Sequence, residues 1–574
     1  MFKILLNFKK YISKENINNY YKIIFLSLSA ALSELISIGS IIPFTTALFN
    51  ISLFRTKISD FFGIELNDIS DTELISITIV TFIIFLIVVT SVRILLQRNV
   101  TKLAYEIGFD ISKSLFDKLI FQSYDQYIKS NSNVIISNIT NKINTIIGNV
   151  AMPFIVLSSS LIIIASIVSL LLYISFEVAI FAFFYFSMAY LLIGFFMKKK
   201  LNKNSTIMSS ASDNIIKILQ ESVGNFRDIY LFNLHDSVIS HFRKNEKNYR
   251  TTQASNAFLS SFPRFLIESM SVIFLLLMAV YLYFSQSQDI VKAIPLIAGF
   301  AYGAQKLVPI FQQVFVAWSN YNGSEKLFID VLEYLNKKSN EEVYDESKNN
   351  FNFSKSIKLI DVSFGYDDHT LFDNISLEIN KGDRICLKGE SGVGKSTLTD
   401  IIIGFLQPQS GKVMFDDIDS KNISPNHIKS LISNVPQNIF ISNKSILENI
   451  APGLKIDDID LNKINKIVKQ VSIEEWINSL ENGLNTILYE NGKNLSGGQK
   501  QRIGIARSLF KDPEIIIFDE ATSSLDSETE IKIIKTINNI STDITIIFIT
   551  HDENFSANYN KSFKLINGKL KNIY

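Results

Sequence analysis

The chain has 574 residues, is 47% hydrophobic with a mean hydropathy of +0.22, and carries a formal net charge of +1, a length that accommodates several domains. The small net charge hides two unlike parts: residues 1–340 hold 30 Lys+Arg against 22 Asp+Glu and the remainder 26 against 33, a division that gives no reason to invoke nucleic acid. Cys386 is the single cysteine, so no intramolecular disulfide forms, and the charged start MFKILLNFKKYISKEN does not read as a cleavable signal peptide.

Taken in chain order, the first part reads as a membrane domain. A bilayer core needs about 20 apolar residues in a helix. Tyr21–Phe49, with Pro43 as a kink, is the first candidate span, and the uncharged run Leu74–Val92 is the second. Phe154–Met197 reads as two spans joined by a tight turn at YISFE, and Phe265–Phe284 and Ala293–Val316 bring the number to six. Basic residues mark the inner side: Lys9, Lys10, Lys14 and Lys22 precede the first span, Arg93, Arg98 and Lys102 follow the second, and Lys198, Lys199, Lys200 and Lys203 follow the fourth. The loop 50–73 is mostly acidic. Both termini are therefore expected in the cytoplasm, with the long inner stretches 97–150 and 198–260 read as helical extensions of the spans.

Four charges inside or beside the spans stand out, because an ionised group at the bilayer centre costs about 2.5–3.5 kcal/mol on insertion scales. Arg264 has two readings, an i,i+4 ion pair with Glu268 or contact with a transported substrate. Lys306 either snorkels its stem to the interface or faces the cavity. Glu34 either pairs with a basic residue across the bundle or faces the cavity. Glu177 sits at a turn and reads as an interfacial charge. The chain is rich in Ile, Asn and Lys, so isolated Asn and Lys residues carry little weight.

After the polar stretch EEVYDESKNN the pattern changes to alternating strands at Ile357–Val362 and Ile375–Ile379. RICLKGESGVGKSTLTDIIIG then reads as strand, glycine-rich turn and helix. Gly389, Gly394, Lys395 and Ser396 fit a phosphate loop: backbone N–H groups wrap a phosphate, Lys395 reaches the β- and γ-phosphates, Ser396 ligates Mg²⁺, and the helix N-terminus adds its dipole. Ser391, Gly392 and Thr397 complete the loop. Further on, EIIIFDEATSSLD is an apolar strand ending in two acids, with Asp519 expected to hold Mg²⁺ and Glu520 to polarise the attacking water.

NLSGGQKQR resembles the signature motif of the ATP-binding cassette (ABC) ATPases, here Leu495–Gln499, and the family's other elements follow in order. By that resemblance Tyr366 stacks on adenine, Gln437 is the loop glutamine that links the metal site to the membrane domain, Glu490 is the acidic residue exporters place before the signature, Ser524–Asp526 is the D-loop and His551 contacts the γ-phosphate. Catalysis is expected from Glu520, His551 and Gln437. Nucleotide binding is expected from Tyr366, Gly389, Ser391, Gly392, Gly394, Lys395, Ser396, Thr397, Ser496, Gly497, Gly498 and Gln499. The metal is expected on Ser396, Gln437 and Asp519. The signature of one chain closes on ATP bound by another, so a homodimer with ATP and Mg²⁺ is implied.

Six spans ahead of one ATPase resemble the half-size exporter class. The expected architecture is an all-α six-helix membrane domain (1–335), a linker (336–354) and an α/β P-loop ABC ATPase domain (355–574), multi-pass in a bacterial inner membrane with the ATPase cytoplasmic. QESVGNFRDIYLFN, SFPRFLIESM and AYGAQKLVPIFQQVF look like flippases for lipid-linked oligosaccharides, implying ATP-driven movement of a polyprenyl-diphosphate-linked glycan. A multidrug or lipid A-like exporter is the alternative. Short helices near 121–127 and 223–230 are the expected coupling elements.

Overall fold

In the computed structural model the residues described are 9–62, 69–130, 132–285, 290–336, 351–366, 369–521, 527–552 and 559–573. They form two compact units. One comprises the described residues up to Gln122 and from Ser130 to Asn336; the other comprises Ser123–Lys129 and the described residues from 351 onward.

The first unit is helical. Its helices are α1 (Lys14–Phe49), α2 (Ile51–Phe62), α3 (Asp71–Ile120), α5 (Asn133–Ile174), α6 (Phe176–Gly224), α7 (Phe226–Leu231), α8 (His235–Ser261), α9 (Pro263–Ser285) and α10 (Ile290–Asn336); α4 (Tyr124–Lys129) belongs to the second unit. Local chemistry sets their starts. Ser13 caps α1, and Ser70 with Glu73 forms a reciprocal capping box on α3. The turn between α5 and α6 falls at Ser175, whose extended backbone interrupts an otherwise continuous apolar run.

Five described stretches are long and apolar enough to cross a membrane: α1, α3, α5, α6 and the continuous stretch His235–Tyr281. The remaining expected span, 293–316, lies in α10, a 47-residue helix containing Pro295 and Pro309. Large apolar residues such as Leu191, Phe195 and Phe196 project outward from α6 at 70–77% exposure, as a lipid-facing surface requires. The helices run well past the apolar segments, and their polar ends pack on one another. Within α5 the winding loosens twice, at Asn138–Lys142 and Ile147–Ala151, where π-helical turns replace α turns. Around α7 the apolar side chains Val223, Phe226, Tyr230, Leu231 and Phe232 are all exposed.

The second unit is α/β. A four-stranded antiparallel sheet in the order β2-β1-β4-β5 holds β1 (Ser356–Tyr366), β2 (His369–Asn380), β4 (Ser410–Phe415) and β5 (Ile418–Asp419). A six-stranded sheet in the order β10-β9-β3-β8-β7-β6 holds β3 (Arg384–Lys388), β6 (Ile432–Val435), β7 (Ile515–Asp519), β8 (Thr545–Thr550), β9 (Lys561–Ile566) and β10 (Lys569–Asn572); all pair in parallel except β10 with β9. Continuous apolar strands such as IIIFD and TIIFIT are what a sheet covered on both faces needs. The period of two sends alternate residues to opposite cores: Ile516, Phe518, Ile546 and Phe548 to one, and Ile515, Ile517, Ile547 and Ile549 to the other. Cys386 sits in the first of these cores, and burial pushes its thiol up to about 11, so it is inert at neutral pH.

Candidate functional site

In the second unit the parallel sheet gathers the predicted residues at one edge. β3, β8, β7 and β6 are adjacent and parallel, so their C-terminal ends open on the same side. The glycine-rich loop leaves β3, Asp519 ends β7, His551 follows β8, and Gln437 follows β6 by two residues.

The loop passes into helix α11 (Lys395–Ile403). Gly394 caps that helix with φ +105°, and a Cβ there would lie 2.7 Å from Leu371, so both backbone and space demand glycine. Lys395 is only 4% exposed, and its ammonium donates to the carbonyls of Gly389 and Glu390, both at 2.9 Å. Those bonds fold the lysine across its own loop. Ser391 and Gly392 lie exposed in the turn, and Thr397 is half-buried in the first turn of α11.

Glu520 is the hub. Its carboxylate stands 3.9 Å from Lys395 Nζ and 3.4 Å from His551 Nδ1, and it accepts a hydrogen bond from the Gln437 side chain at 3.2 Å. Its backbone adopts φ +46°, in the left-handed region that a glutamate rarely occupies, and its N–H donates to Ile549 O at 3.0 Å. Beside it Ser396 Oγ lies 3.4 Å from Asp519 Oδ1. Burial pushes the Asp519 carboxyl up, with Glu520 adding to the shift and Ser396 and Lys395 opposing it. Asp400, one turn along α11, is pushed up to about 6 by burial and then by Asp519. Burial lowers the Lys395 ammonium, against the pull of Glu520 and Asp519. The site is therefore a desolvated pocket of acids around one lysine, with a hydroxyl and a carboxylate side by side where a small divalent cation fits.

Tyr366 ends β1 and packs edge-on against Phe364 with ring centres 5.1 Å apart. Glu490 opens a 3-10 turn that contains Asn491 at φ +55°. Ser496 and Gln499 form a reciprocal capping box, at 2.8 and 3.2 Å, on helix α12 (Gly497–Phe510). The Ser496–Gln499 turn is thus built as a helix N-terminus with Ser496 and Gly497 exposed. Among the described residues no hydrogen bond or ion pair joins it to the phosphate loop of the same chain. Ser524–Asp526 lies outside the described residues.

A second constellation lies in the membrane helices. Glu34 on α1 is fully buried and ion-paired with Arg93 of α3 at 2.6 Å and with Lys306 of α10 at 3.5 Å. Lys306 also stands 5.3 Å from the centre of the Tyr302 ring. Neither oxygen of Glu34 has an aligned hydrogen bond, so two cations share one carboxylate and leave a local excess of one positive charge. Of the two readings for Glu34 the pairing across the bundle is the one present, and Arg93 is the partner that the sequence pattern did not single out. Arg264 pairs with Glu268 on its own helix at 2.6 Å, and Glu177 accepts from the Tyr281 hydroxyl across two helices.

Strand order, phosphate loop and acid pair together define an ATP-binding cassette fold. Comparison with known proteins agrees: the family "ABC transporter transmembrane region" matches residues 35–302 and the family "ABC transporter" matches residues 372–523. An uncharacterised ABC transporter ATP-binding protein of Bacillus subtilis is 28% identical over 463 residues, 78% of each chain. An ATP-dependent lipid A-core flippase of Francisella novicida is 27% identical over 381 residues, 65% of this chain and 63% of that protein's length. A solved bacterial Atm1-family ABC exporter with ATP bound shares the fold at TM-score 0.80 and 18% identity, over 97% of this chain and 95% of that one. The chain is a half-size ABC exporter: a multi-pass membrane protein whose ATPase domain binds ATP and couples its hydrolysis to transport.

Proposed function

We propose that two copies of this chain flip a lipid-linked substrate, a polyprenyl-diphosphate-linked oligosaccharide, across a bacterial inner membrane, with the ATPase units in the cytoplasm. The observation that carries this reading is the Glu34–Arg93–Lys306 cluster. Two cations on a single buried carboxylate make a net positive site among apolar helices. An anionic diphosphate drawn in from a lipid headgroup would take the unmatched charge. Arg264 adds a cation at 64% exposure, paired with Glu268 on the same helix. The lipid A-core flippase among the relatives supports a lipid substrate and equally favours the second reading, a lipid A-like molecule.

At the ATPase, Lys395 would exchange the Gly389 and Glu390 carbonyls for the β- and γ-phosphates, while Gly389, Gly392 and Gly394 turn their backbone toward them. Ser396 and Asp519, with Gln437 nearby, would hold Mg²⁺, which supplies charge neutralisation at the phosphates and prefers to keep waters in its shell. Glu520 would take the proton of the attacking water, with Gln437 and His551 holding the carboxylate in place. Tyr366 would stack on adenine. Ser496, Gly497, Gly498 and Gln499 would close on the γ-phosphate of the other copy, the N-terminus of α12 adding its dipole. Exposed Val223, Phe226, Tyr230, Leu231 and Phe232 around α7 form an apolar patch on a polar extension, which supports a second copy as its cover.

The test is ATPase activity in nanodiscs with undecaprenyl-diphosphate-linked oligosaccharide, a lipid A precursor or a drug panel added. Stimulation by the polyprenyl-linked sugar alone is expected. Stimulation by the lipid A precursor alone would transfer the proposal to the second reading.

A further inference from the structure

The polar extension of the first unit encloses a cavity of about 560 Å³ between α5, α6, α8 and α10. Six side-chain amides line it, Asn141, Asn144 and Asn149 from α5, Gln253 and Asn256 from α8, and Asn320 from α10, beside apolar Met208, Ile215 and Ala257. Its charged members, Glu246 and Arg250, pair with each other at 2.7 Å, and Arg250 also donates to Gln253 at 3.2 Å. The lining therefore carries no net charge. It offers a diphosphate no unmatched cation, and its amides interrupt the apolar side chains that a lipid tail would need unbroken.

Part of this wall is pre-set. Asn256 accepts from Asn204 at 2.7 Å and donates to Gly323 O at 3.2 Å, and a Cβ on Gly323 would sit 2.7 Å from Asn256 Nδ2, so only glycine leaves the amide its place. Asn149 donates to Ser324 at 2.8 Å. Asn141 and Asn320, by contrast, have no side-chain partner among the described residues. Each amide offers two donors and an acceptor in one plane, which matches the neighbouring hydroxyls of a sugar ring, and Tyr249 contributes an aromatic surface to the same cavity.

We infer that this amide-lined cavity binds the neutral oligosaccharide portion of the substrate on the cytoplasmic side. This rests on the reading of the transported molecule as a lipid-linked glycan. Position supports it. Asn320 lies on the same helix as Lys306, about four turns or roughly 21 Å further along it and past the end of the expected span at 316. A substrate whose diphosphate meets the Glu34–Arg93–Lys306 cluster would extend its sugars toward the amides. The membrane cluster selects charge, and the cavity selects hydroxyls.

The full-length protein in nanodiscs tests this with the double variant Asn141→Ala/Asn320→Ala, two amides that hold nothing else in place. The probes are undecaprenyl diphosphate bearing a tetrasaccharide and bare undecaprenyl diphosphate. The expected result is a rise of about tenfold or more in the half-stimulating concentration of the glycosylated carrier, from losing its hydrogen bonds. Stimulation by the bare carrier and the basal ATPase rate stay unchanged. Equal shifts for both carriers, or a shift for neither, would overturn the assignment. If the double variant melts early, Asn141→Ala alone carries the same comparison. If neither carrier stimulates the wild type, the lipid-linked reading fails, and saturation-transfer NMR with the free tetrasaccharide decides the cavity separately. Transfer that disappears in the variant sustains a sugar site, and no transfer to the wild type removes it.

Discussion

Both units of this molecule place one glutamate at the meeting point of several donors, and the two differ in almost everything else. Glu520 is held at a strained φ of +46° and 19% exposed, within reach of Lys395, Gln437 and His551. Glu34 sits in regular helix, fully buried, between Arg93 and Lys306. The first arrangement leaves a carboxylate partly open to water. The second keeps one out of lipid by compensating it. Backbone strain at one and burial at the other fit the proposal that the first is placed to react and the second to hold charge.

The comparison breaks most visibly at Glu520. Glu520→Gln keeps the size and the Gln437 contact but removes the proposed base, so phosphate release is expected to fall about 100- to 10,000-fold while ATP binding persists. Turnover near the wild-type rate would remove the catalytic assignment and leave Glu520 an ordinary strand-end acid.

Next in size are the buried charges. Lys142 is fully buried between Asp213 at 3.0 Å and Asp330 at 3.2 Å, with Lys326 and Ser209 also bonded to Asp330. Lys142→Met leaves two acids facing each other and is expected to cost about 3–5 kcal/mol, read as a lowered melting temperature of the first unit. Adding Asp213→Leu and Asp330→Asn should recover much of the loss, since an uncharged replacement of all three groups removes the unpaired acids. Glu34→Gln should cost a similar amount but raise the affinity for an anionic carrier, because Arg93 and Lys306 are then unmatched. A loss of stability with unchanged carrier affinity would make Glu34 purely structural.

The same contrast governs what could be read in advance. The proposed ATP site draws on short strings, GESGVGKST and IIIFDEAT, in which neighbours in sequence are neighbours in space, and the sheet needs only to align four strand ends; NLSGGQ is equally local but forms a helix start of its own. The membrane unit brings together residues from helices far apart in the chain. Glu34, Lys306 and Arg264 were visible as charges in apolar runs, but Arg93 looked like one more inner-side cation, and Lys142 was one lysine among many. The amides of the α5–α6–α8–α10 cavity were hidden by the chain's abundance of asparagine. Composition lowers the weight of each Asn, and only packing shows which of them share a wall. Asp400 had no motif to mark it, and its proximity to Asp519 follows from the turn of α11.

A smaller effect sharpens the second unit alone. Asp416, at φ +53°, accepts from the backbone N–H groups of Ser354, Lys355 and Ser356 and from the Ser354 hydroxyl at 2.7–2.9 Å. Burial works to push its carboxyl up, but these donors outweigh it and hold it below the usual range. A lowered folded value means the stabilisation is complete above the unfolded value, near 3.9, and is lost as pH falls through the folded one. Asp416→Asn should therefore lower stability by about 1–3 kcal/mol at neutral pH and by progressively less below about pH 4. A constant difference across that range would mean the charge contributes nothing.

The smallest expected effect concerns α4, the short helix that packs with the ATPase residues. Tyr124 packs at a tilt against Phe405 with ring centres 4.9 Å apart, and Phe405 follows α11, the helix that begins at Lys395. One rigid helix thus connects the phosphate loop to the tyrosine, and an aromatic pair of this kind contributes about 0.5–1.5 kcal/mol beyond its buried area. Tyr124→Ala should leave basal ATP hydrolysis intact and reduce its stimulation by substrate, while Tyr124→Phe, which keeps the ring, should behave as wild type. Equal stimulation in all three would show that α4 only covers the ATPase surface. Loss of stimulation in both variants would shift the role from the ring to the phenol, whose pKa burial and the neighbouring Asp400 push up.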